Sequence, residues 1–145
     1  MTVIPMQQSH IAAIAALEQA CFSEPWSAVA LAEELSNPHA VFRVAMEGDS
    51  LLGYVGMHHL VDEGFITNVA VSPVARRRGV ARALLADLAA YGQARGLCRI
   101  TLEVRVSNHP ARTLYESEGY TLDGIRPGFY RAPTEDAAIY SLYFQ

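Results

Sequence analysis

The sequence predicts a single α/β domain with a mixed sheet and helices on both faces, in the order β-α-α-β-β-β-α-β-α-β-β. Three observations support this fold class. The length of 145 residues suits one domain. Hydrophobic residues make up 51 % and charged residues 18 % of the chain, which is a globular balance. Short apolar runs alternate with segments of helical period. We therefore expect residues 1–145 to form one domain.

The N-terminal third predicts an edge strand followed by two helices. Residues 2–6 are short and β-branched at their centre. Residues 10–21 carry apolar side chains at helical spacing, namely Ile11, Ile14, Leu17 and Cys21. Pro25 interrupts the helix, and Ser27 can cap a second helix that runs to about residue 36. An aromatic loop, residues 22–27, joins the two helices.

The middle of the chain predicts a hairpin, a central strand and a long helix. Residues 41–46 and 51–60 flank a turn at Gly48 and Asp49. Residues 65–71 are apolar enough to form a central strand. A helix should follow over residues 79–95, with Gly96 as its C-cap.

The C-terminal third predicts a strand, a helix and a hairpin-like pair. Residues 97–106 follow a helix, so we expect them to lie parallel to the strand at 65–71. Asn108 can cap the next helix, with Pro110 in its first turn and Gly119 just past its end. Residues 120–125 and 137–144 complete the sheet, with a long Gly/Pro loop between them. The last four residues, LYFQ, match part of a protease-tag site and are interpreted as a candidate tag remnant.

Charge and composition exclude several kinds of partner. The net charge of −4 argues against nucleic-acid binding by the whole domain. No apolar run approaches the ~18 residues that span a membrane, and the N-terminus does not resemble a signal peptide. Cys21 and Cys98 lie in apolar contexts and predict buried free thiols in a reducing compartment. We expect a cytoplasmic protein, a monomer or weak oligomer, with no membrane or nucleic-acid partner.

Residues 76–81, RRRGVA, fit the pattern [Q/R]-x-x-G-x-[G/A] between a strand and a helix. A helix start of this kind offers free backbone N–H groups and the positive end of the helix dipole to an anion. Gly79 and Ala81 would let a phosphate approach the main chain. The pattern is neither a Walker loop nor a dinucleotide fingerprint. The alternative is an ordinary strand, basic turn and helix.

Two further side chains predict chemistry near this loop. Strand alternation places Glu103 on the same face as Thr101 and Arg105. Glu103 is therefore either a general base or half of an ion pair with Arg105. Tyr115 follows Asn108 by seven residues, almost two helical turns, so both should point the same way. Core packing is the alternative explanation for Tyr115.

No metal site is predicted from the five histidines. His58 and His59 are adjacent in a strand, so they point to opposite faces and cannot bind one metal. His109 lies beside the predicted site and is kept as a reserve base. The remaining histidines are His10 and His39.

Taken together, these motifs resemble the GCN5-related N-acetyltransferases, and within them the bacterial RimI group. The matching residues are the loop 76–81, the run Leu102-Glu103-Val104-Arg105-x-Ser107-Asn108, and the run Leu114-Tyr115-Glu116-Ser117-x-Gly119-Tyr120. Residues 22–27, Tyr130 and residues 135–137 are also similar, so the resemblance covers nearly the whole chain. It departs at Ala81, where a second glycine is commoner, and at Phe129, where a second Tyr is frequent.

The resemblance implies acetyl-CoA as cofactor and CoA as product, and it assigns roles to individual residues. Glu103 would accept a proton and Tyr115 would donate one. Asn108 would hold the cofactor. The pantetheine arm would run along the main chain of Val69, Ala70 and Val71. The pyrophosphate would lie on the backbone amides of Arg77, Arg78, Gly79, Val80, Ala81 and Arg82, and Arg76 would also contribute to cofactor binding.

The resemblance also implies the acceptor, the N-terminal alanine of a small-subunit ribosomal protein. Asp62 and Glu63 would suit a basic peptide, or they form only a solvated turn. Trp26 and Tyr130 would wall the slot for a small first side chain, although Trp26 could simply cover the core. Two alternatives keep the fold: acetylation of a lysine side chain or small amine, and a non-catalytic module that binds acyl-CoA.

Overall fold

The computed structural model describes all 145 residues and contains seven strands and four α-helices in the predicted order. The strands are β1 (Thr2–Pro5), β2 (Ala40–Glu47), β3 (Ser50–Leu60), β4 (Glu63–Val71), β5 (Arg99–Arg105), β6 (Thr121–Tyr130) and β7 (Glu135–Tyr143). The helices are α1 (Ile11–Cys21), α2 (Ala28–Glu34), α3 (Val80–Arg95) and α4 (His109–Ser117). None of these helices combines the length and the apolar character that a membrane span requires.

All seven strands form one mixed sheet in the order β1-β2-β3-β4-β5-β7-β6. The first four strands pair antiparallel with their neighbours. β4 and β5 pair parallel, as the intervening helix α3 predicts. β7 lies between β5 and β6 and is antiparallel to both. The mixed sheet and its parallel crossover are therefore confirmed.

Two apolar clusters cover the two faces of the sheet. One contains the buried side chains of α3 and α4, including Leu84, Leu88 and Tyr115, packed on Leu102 and Val104 of β5. The other contains α1 and α2 residues packed on the opposite face of β2, β3 and β4. Because the clusters lie on opposite faces, alternate residues of each central strand contact different helices.

The predicted helix ends are confirmed. Ser27 and Asn108 begin α2 and α4, and their side chains accept hydrogen bonds from Ala30 N–H (3.1 Å) and Ala111 N–H (3.2 Å). Gly79 and Gly96 bracket α3 with φ values of 77° and 69°. Glycine adopts this left-handed conformation without a Cβ clash.

Two expectations for this part of the structure are wrong, namely the long loop before the last strand and the burial of both thiols. β6 and β7 extend toward each other, so the expected long Gly/Pro loop shrinks to residues 131–134. Leu142 of the LYFQ segment pairs with Ile100 in the sheet, and the ring of Phe144 lies against Gly92, so this segment is folded into the domain. Cys98 is exposed and only Cys21 is partly buried.

The feature of the fold that creates a site is the separation of β4 from β5. Their parallel pairing covers only three positions and ends at Phe65 and Thr101. Immediately afterwards, the register of β4 against β3 shifts by one residue at Thr67. Such a bulge bends the strand that carries it. The rest of β4 and β5 therefore flank a gap.

Candidate active site

The gap between β4 and β5 opens into a cavity of about 780 Å³. This volume is typical of sites for small molecules and cofactors. Ile66 to Val69 line one side and Leu102 to Arg105 the other. Two loops complete the walls: the α1–α2 loop, including Phe22, Glu24 and Trp26, and the β6–β7 loop, including Phe129, Tyr130, Arg131 and Pro133.

The backbone of β4 presents unpaired groups to this gap. The Ser72 N–H donates to the Leu52 carbonyl of β3 (2.8 Å), and the Ala70 carbonyl also points at β3, toward Gly53. Because backbone groups of successive strand residues face opposite edges, those of Val69 and Val71 face β5, where pairing has ended. Of the three residues predicted for the pantetheine arm, Val69 therefore offers both main-chain groups to the gap and Ala70 offers none. Val71 offers its N–H, while its carbonyl accepts from the Cys21 thiol at 3.8 Å.

Glu103 lines the cavity from β5. Its neighbours Leu102 and Val104 are buried against α3 and α4, so Glu103 points to the opposite face, as the alternation predicts. The alternative of an ion pair with Arg105 is wrong. Arg126 of β6 donates to the Glu103 carboxylate at 3.3 Å, and Arg105 pairs with Glu135 at the same distance. The Glu103 side chain remains 29 % exposed, so a substrate can reach it.

Tyr115 reaches the same cavity from the other face of β5, together with Asn108. Tyr115 is also packed in the α3–α4 cluster, so lining the cavity and packing in the core are compatible. Burial raises the pKa of its phenol above the usual value, with a smaller contribution from Tyr130. Asn108 uses its side-chain oxygen to cap α4, which leaves its amide N–H groups for a ligand.

Tyr130 lies in the same electrostatic environment as the two predicted catalytic groups. Burial, followed by the negative charge of Glu103, raises its pKa to about 12. Tyr130 in turn contributes to the raised pKa of Tyr115. Glu103, Tyr115 and Tyr130 all line the cavity, and both phenols stay protonated at neutral pH.

The predicted phosphate loop begins where β4 ends, outside the cavity itself. Arg77 and Gly79 both have positive φ values, 64° and 77°. No side chain caps the start of α3, and a Cβ at Gly79 would meet no atom within 4 Å. The geometry is that of an open anion site at a helix N-terminus.

Two of the loop arginines are already paired. Arg78 donates to Glu47 at 2.6 Å, and Arg82 donates to Glu118 and to the Ser117 hydroxyl. Arg76 and Arg77 form no ion pair. The cations available beside the free N–H groups of this loop are therefore the guanidinium groups of Arg77 and Arg76, of which Arg76 also donates to Cys21 Sγ (3.8 Å).

The α1–α2 loop is held by a buried carboxylate that the sequence interpretation missed. Glu18 is 1 % exposed and accepts hydrogen bonds from Trp26 N–H (2.9 Å), Tyr54 O–H (2.6 Å) and Asn68 Nδ2–H (3.4 Å). A signal was present, since Glu18 follows Ile14 by four residues and so lies on the apolar face of α1. Trp26 both lines the cavity and packs on Phe42, with ring centroids 6.2 Å apart.

Other candidate residues lie away from the cavity. Asp62 and Glu63 are at the closed end of the β4–β5 pair, where Asp62 accepts from the Cys98 thiol (3.0 Å) and Glu63 pairs with Arg99. The structure therefore does not bring them to a peptide in the cleft. His109 does not line the cavity. His58 and His59 bond Glu34 and Tyr91 on opposite sides of the sheet, as predicted.

The sheet separates between two parallel strands, an anion loop lies at the end of one of them, and a carboxylate and a phenol lie in the gap. This combination is typical of the acyl-CoA-dependent acyltransferases. Comparison with known proteins agrees. Residues 11–120 match the acetyltransferase (GNAT) family. The chain belongs to this family, whose acetyltransferases use acetyl-CoA as the acetyl donor.

Individual relatives cover nearly the whole chain. The ribosomal protein bS18-alanine N-acetyltransferase of Haemophilus ducreyi is 35 % identical, over 88 % of this chain and 89 % of its own length. The Escherichia coli K12 protein of the same name is 32 % identical over 97 % and 96 %. A crystal structure of the Escherichia coli ribosomal-protein-S18-alanine N-acetyltransferase superimposes with a TM-score of 0.90 and 30 % identity, covering 98 % of this chain and 92 % of that one.

Proposed function

We propose that this protein transfers the acetyl group of acetyl-CoA to the N-terminal α-amine of a protein, and that its substrate is the N-terminal alanine of ribosomal protein bS18. The observation that carries the proposal is that Glu103 and Tyr115 line one cavity at the point where β4 and β5 separate. The names of the relatives support the choice of acceptor. A ribosomal protein is made in the cytoplasm, so we place the reaction there.

The residues available to hold acetyl-CoA fit its chemical parts. The amide-containing pantetheine arm suits the unpaired backbone groups of Val69 and the free N–H of Val71, and the Asn108 amide can donate to the same arm. The pyrophosphate suits the free N–H groups between Gly79 and Arg82, with Arg76 and Arg77 as nearby cations. Bound acetyl-CoA supplies an acetyl group activated as a thioester.

Glu103 would act as the proton acceptor. An amine attacks only when it is neutral, and an α-amine with a pKa near 8 is roughly 10 % neutral at pH 7, against roughly 0.04 % for a lysine. An N-terminus therefore requires less of its base than a lysine does. The amine loses a proton as the new C–N bond forms, and the Glu103 carboxylate, directly or through a water, receives it.

Tyr115 would act at the departing sulfur. A thiol has a pKa near 8.5 and a free phenol near 10, so proton transfer from a phenol to a thiolate is uphill by about 2 kcal/mol. The burial that raises the Tyr115 pKa increases this difference. We infer that Tyr115 contributes mainly as a hydrogen-bond donor that stabilises the charge developing on sulfur. The raised pKa keeps that donor in place throughout the working pH range.

The acceptor peptide would enter on the face of β5 that carries Glu103. The α1–α2 and β6–β7 loops lie on either side of this entrance, and Trp26 and Tyr130 contribute one aromatic side chain from each. Aromatic walls close to Glu103 favour a small first side chain such as alanine, because a larger one would collide with the rings.

The test compares a peptide carrying the first residues of bS18 with the same peptide blocked at its N-terminus, each incubated with acetyl-CoA and the enzyme. Mass spectrometry should show one added acetyl group, located by fragmentation at the α-amine, on the free peptide only. A third peptide with a blocked N-terminus and an internal lysine measures the competing activity. Acetylation of this third peptide at a rate equal to that of the free one would contradict the proposed acceptor.

A further inference from the structure

The β6–β7 loop forms one wall of the cavity, and its turn lies beyond the last paired position of the two strands, Tyr130 with Glu135. Residues 129–133 all line the cavity. The register of β6 against β7 is irregular between Arg126 and Tyr130, and residues 131–134 join the two strands as a turn. Within the hairpin the Gly128 N–H donates to Asp136 (2.9 Å), and contacts from outside the hairpin can hold residues 131–133.

Arg105, at the end of β5, makes the contacts that do so. Its guanidinium donates to the carbonyls of Pro133 (2.7 Å) and Arg131 (2.8 Å), and to the carboxylate of Glu135 (3.3 Å). The same guanidinium lies 4.6 Å from the centroid of the Tyr130 ring. Only a planar group with several donors in a fixed fork can satisfy two carbonyls and stack on a ring at once.

Glu135 connects this contact to the helix that carries Tyr115. While one oxygen of its carboxylate accepts from Arg105, the other accepts from the backbone N–H of Ser107 at 2.7 Å. Ser107 directly precedes Asn108, which caps α4. Hydrogen bonds from Ser107 and Arg105 hold the pKa of Glu135 below its usual value, so this carboxylate is ionised at neutral pH.

We propose that Arg105 is a positioning residue, and that Arg105 and Glu135 form a latch holding the β6–β7 loop as the peptide-facing wall of the active site. This inference rests on the proposed function, because it assumes that a peptide lies between the two loops. Arg105 lines the cavity, but its hydrogen bonds go to the β6–β7 loop and to Glu135 rather than to β4 or the phosphate loop. The latch therefore governs binding of the peptide and leaves binding of acetyl-CoA unchanged.

The first test is kinetic, with Arg105→Lys, which keeps the charge and removes the fork. We expect KM for the peptide to rise about 10-fold, with kcat and KM for acetyl-CoA changed less than about 3-fold. The reason is that the lost contacts stabilise the bound peptide equally in the ground state and in the transition state. Arg99→Lys is the matched control, since Arg99 lies on the same face of β5 and pairs with Glu63 at the closed end. A fall in kcat with unchanged KM, or equal effects in both variants, would overturn the proposal.

The second test does not depend on the reaction. The Arg131–Ala132 bond is a trypsin site whose carbonyl is held by Arg105. In Arg105→Gln and in Glu135→Gln, trypsin should cut the folded protein after Arg131 about 10-fold faster than in the wild type, because cleavage follows local opening. Cleavage in the loop of Arg76 to Arg78 serves as the internal reference in the same sample.

The two tests separate the two hypotheses. If the wild type does not acetylate the bS18 peptide while both variants are cut faster after Arg131, the proposed acceptor fails and the latch stands. If the wild type acetylates the peptide but neither variant is cut faster, the latch fails and the proposed function stands.

Discussion

Glu63 and Glu103 are two similar carboxylates at opposite ends of the same strand pair. Their side chains are 32 % and 29 % exposed, and each is paired with one arginine, Arg99 or Arg126. Glu63 lies where β4 and β5 are hydrogen-bonded, and Glu103 lies where the strands have separated. Charge, exposure and pairing do not distinguish them. They differ in what lies beside them: a ligand can occupy the gap next to Glu103, whereas β4 and β5 are hydrogen-bonded together next to Glu63.

The largest expected effect compares these two carboxylates directly. Glu103→Gln removes the proposed proton acceptor and should lower kcat with the bS18 peptide by about 100-fold or more. Glu63→Gln removes an equally exposed carboxylate and should change kcat less than about 2-fold. Steady-state kinetics on both variants tests the distinction, and calorimetry should give the same acetyl-CoA affinity for each. Equal loss in the two variants would show that the position of the gap does not determine function.

Two buried tyrosines allow a second comparison. Tyr115 and Tyr120 pack with ring centroids 5.9 Å apart, and burial raises the pKa of both. Only Tyr115 lines the cavity. We expect Tyr115→Phe to lower kcat by about 10- to 100-fold, because it removes the proposed donor to the charge that develops on sulfur.

Tyr120→Phe should leave kcat unchanged. The Tyr120 hydroxyl is buried without a hydrogen-bond partner, so its removal should leave the free energy of unfolding unchanged or raise it by about 1 kcal/mol. Denaturant titration of both variants checks the stability, and initial rates check the activity. A loss of activity in Tyr120→Phe equal to that in Tyr115→Phe would contradict the assigned role of Tyr115.

The glycines at the two ends of α3 extend the comparison to the cofactor. Gly79 and Gly96 have similar positive φ values, 77° and 69°, and a Cβ on either would meet no atom within 4 Å. Replacing either by Ala should therefore destabilise the fold by about 1 kcal/mol through backbone strain alone.

Only Gly79→Ala should also weaken acetyl-CoA binding, by about 5- to 10-fold, because the added methyl group lies beside the free N–H groups of the anion site. Titration calorimetry with acetyl-CoA measures the difference between the two variants. Weaker binding in Gly96→Ala of the same size would point to a general effect of helix strain.

The smallest expected effect is that of alkaline pH on stability. Buried phenols in both the α1–α2 and the α3–α4 clusters should contribute to it. Burial raises the pKa of Tyr54 in the α1–α2 cluster and of Tyr115 and Tyr120 in the α3–α4 cluster. Below pH 10 all three phenols are protonated whether the chain is folded or not. Above pH 10 the unfolded chain loses these protons while the folded chain retains them, so the free energy of unfolding decreases.

We expect Tm to fall by several degrees between pH 9 and pH 11, measured by circular dichroism. All eleven basic side chains are arginines, which stay charged over this range, so no lysine titration contributes. A constant Tm up to pH 11 would contradict the burial of these phenols.

The fold could be predicted from the sequence because its elements depend on local signals. The capping residues Ser27 and Asn108 and the glycines around α3 mark helix ends by their own chemistry, and the structure places the ends there. The β6–β7 hairpin was misjudged because Gly124, Pro127 and Gly128 are typical of loops, yet they lie in an exposed edge strand that tolerates them.

The site was predictable only in part. Alternation within β5 and helical spacing within α4 correctly indicated that Glu103, Asn108 and Tyr115 line one cavity. The bulge at Thr67 that opens the gap has no sequence signal, because it depends on how β4 pairs with β3 and β5. For the same reason the sequence could not tell that Glu63 lies at the closed end. The partner of Arg105 was also misjudged, since Glu135 is thirty residues away in the chain.

The most direct test of the account is residue-resolved hydrogen exchange of β4 with and without acetyl-CoA. The N–H groups of Val69 and Val71 face the open gap, and that of Ala70 faces β3. If the gap holds the acetyl donor, saturating acetyl-CoA should slow exchange at Val69 and Val71 by about 10-fold more than at Ala70. Equal slowing at all three residues, or no slowing at Val69 and Val71, would contradict it.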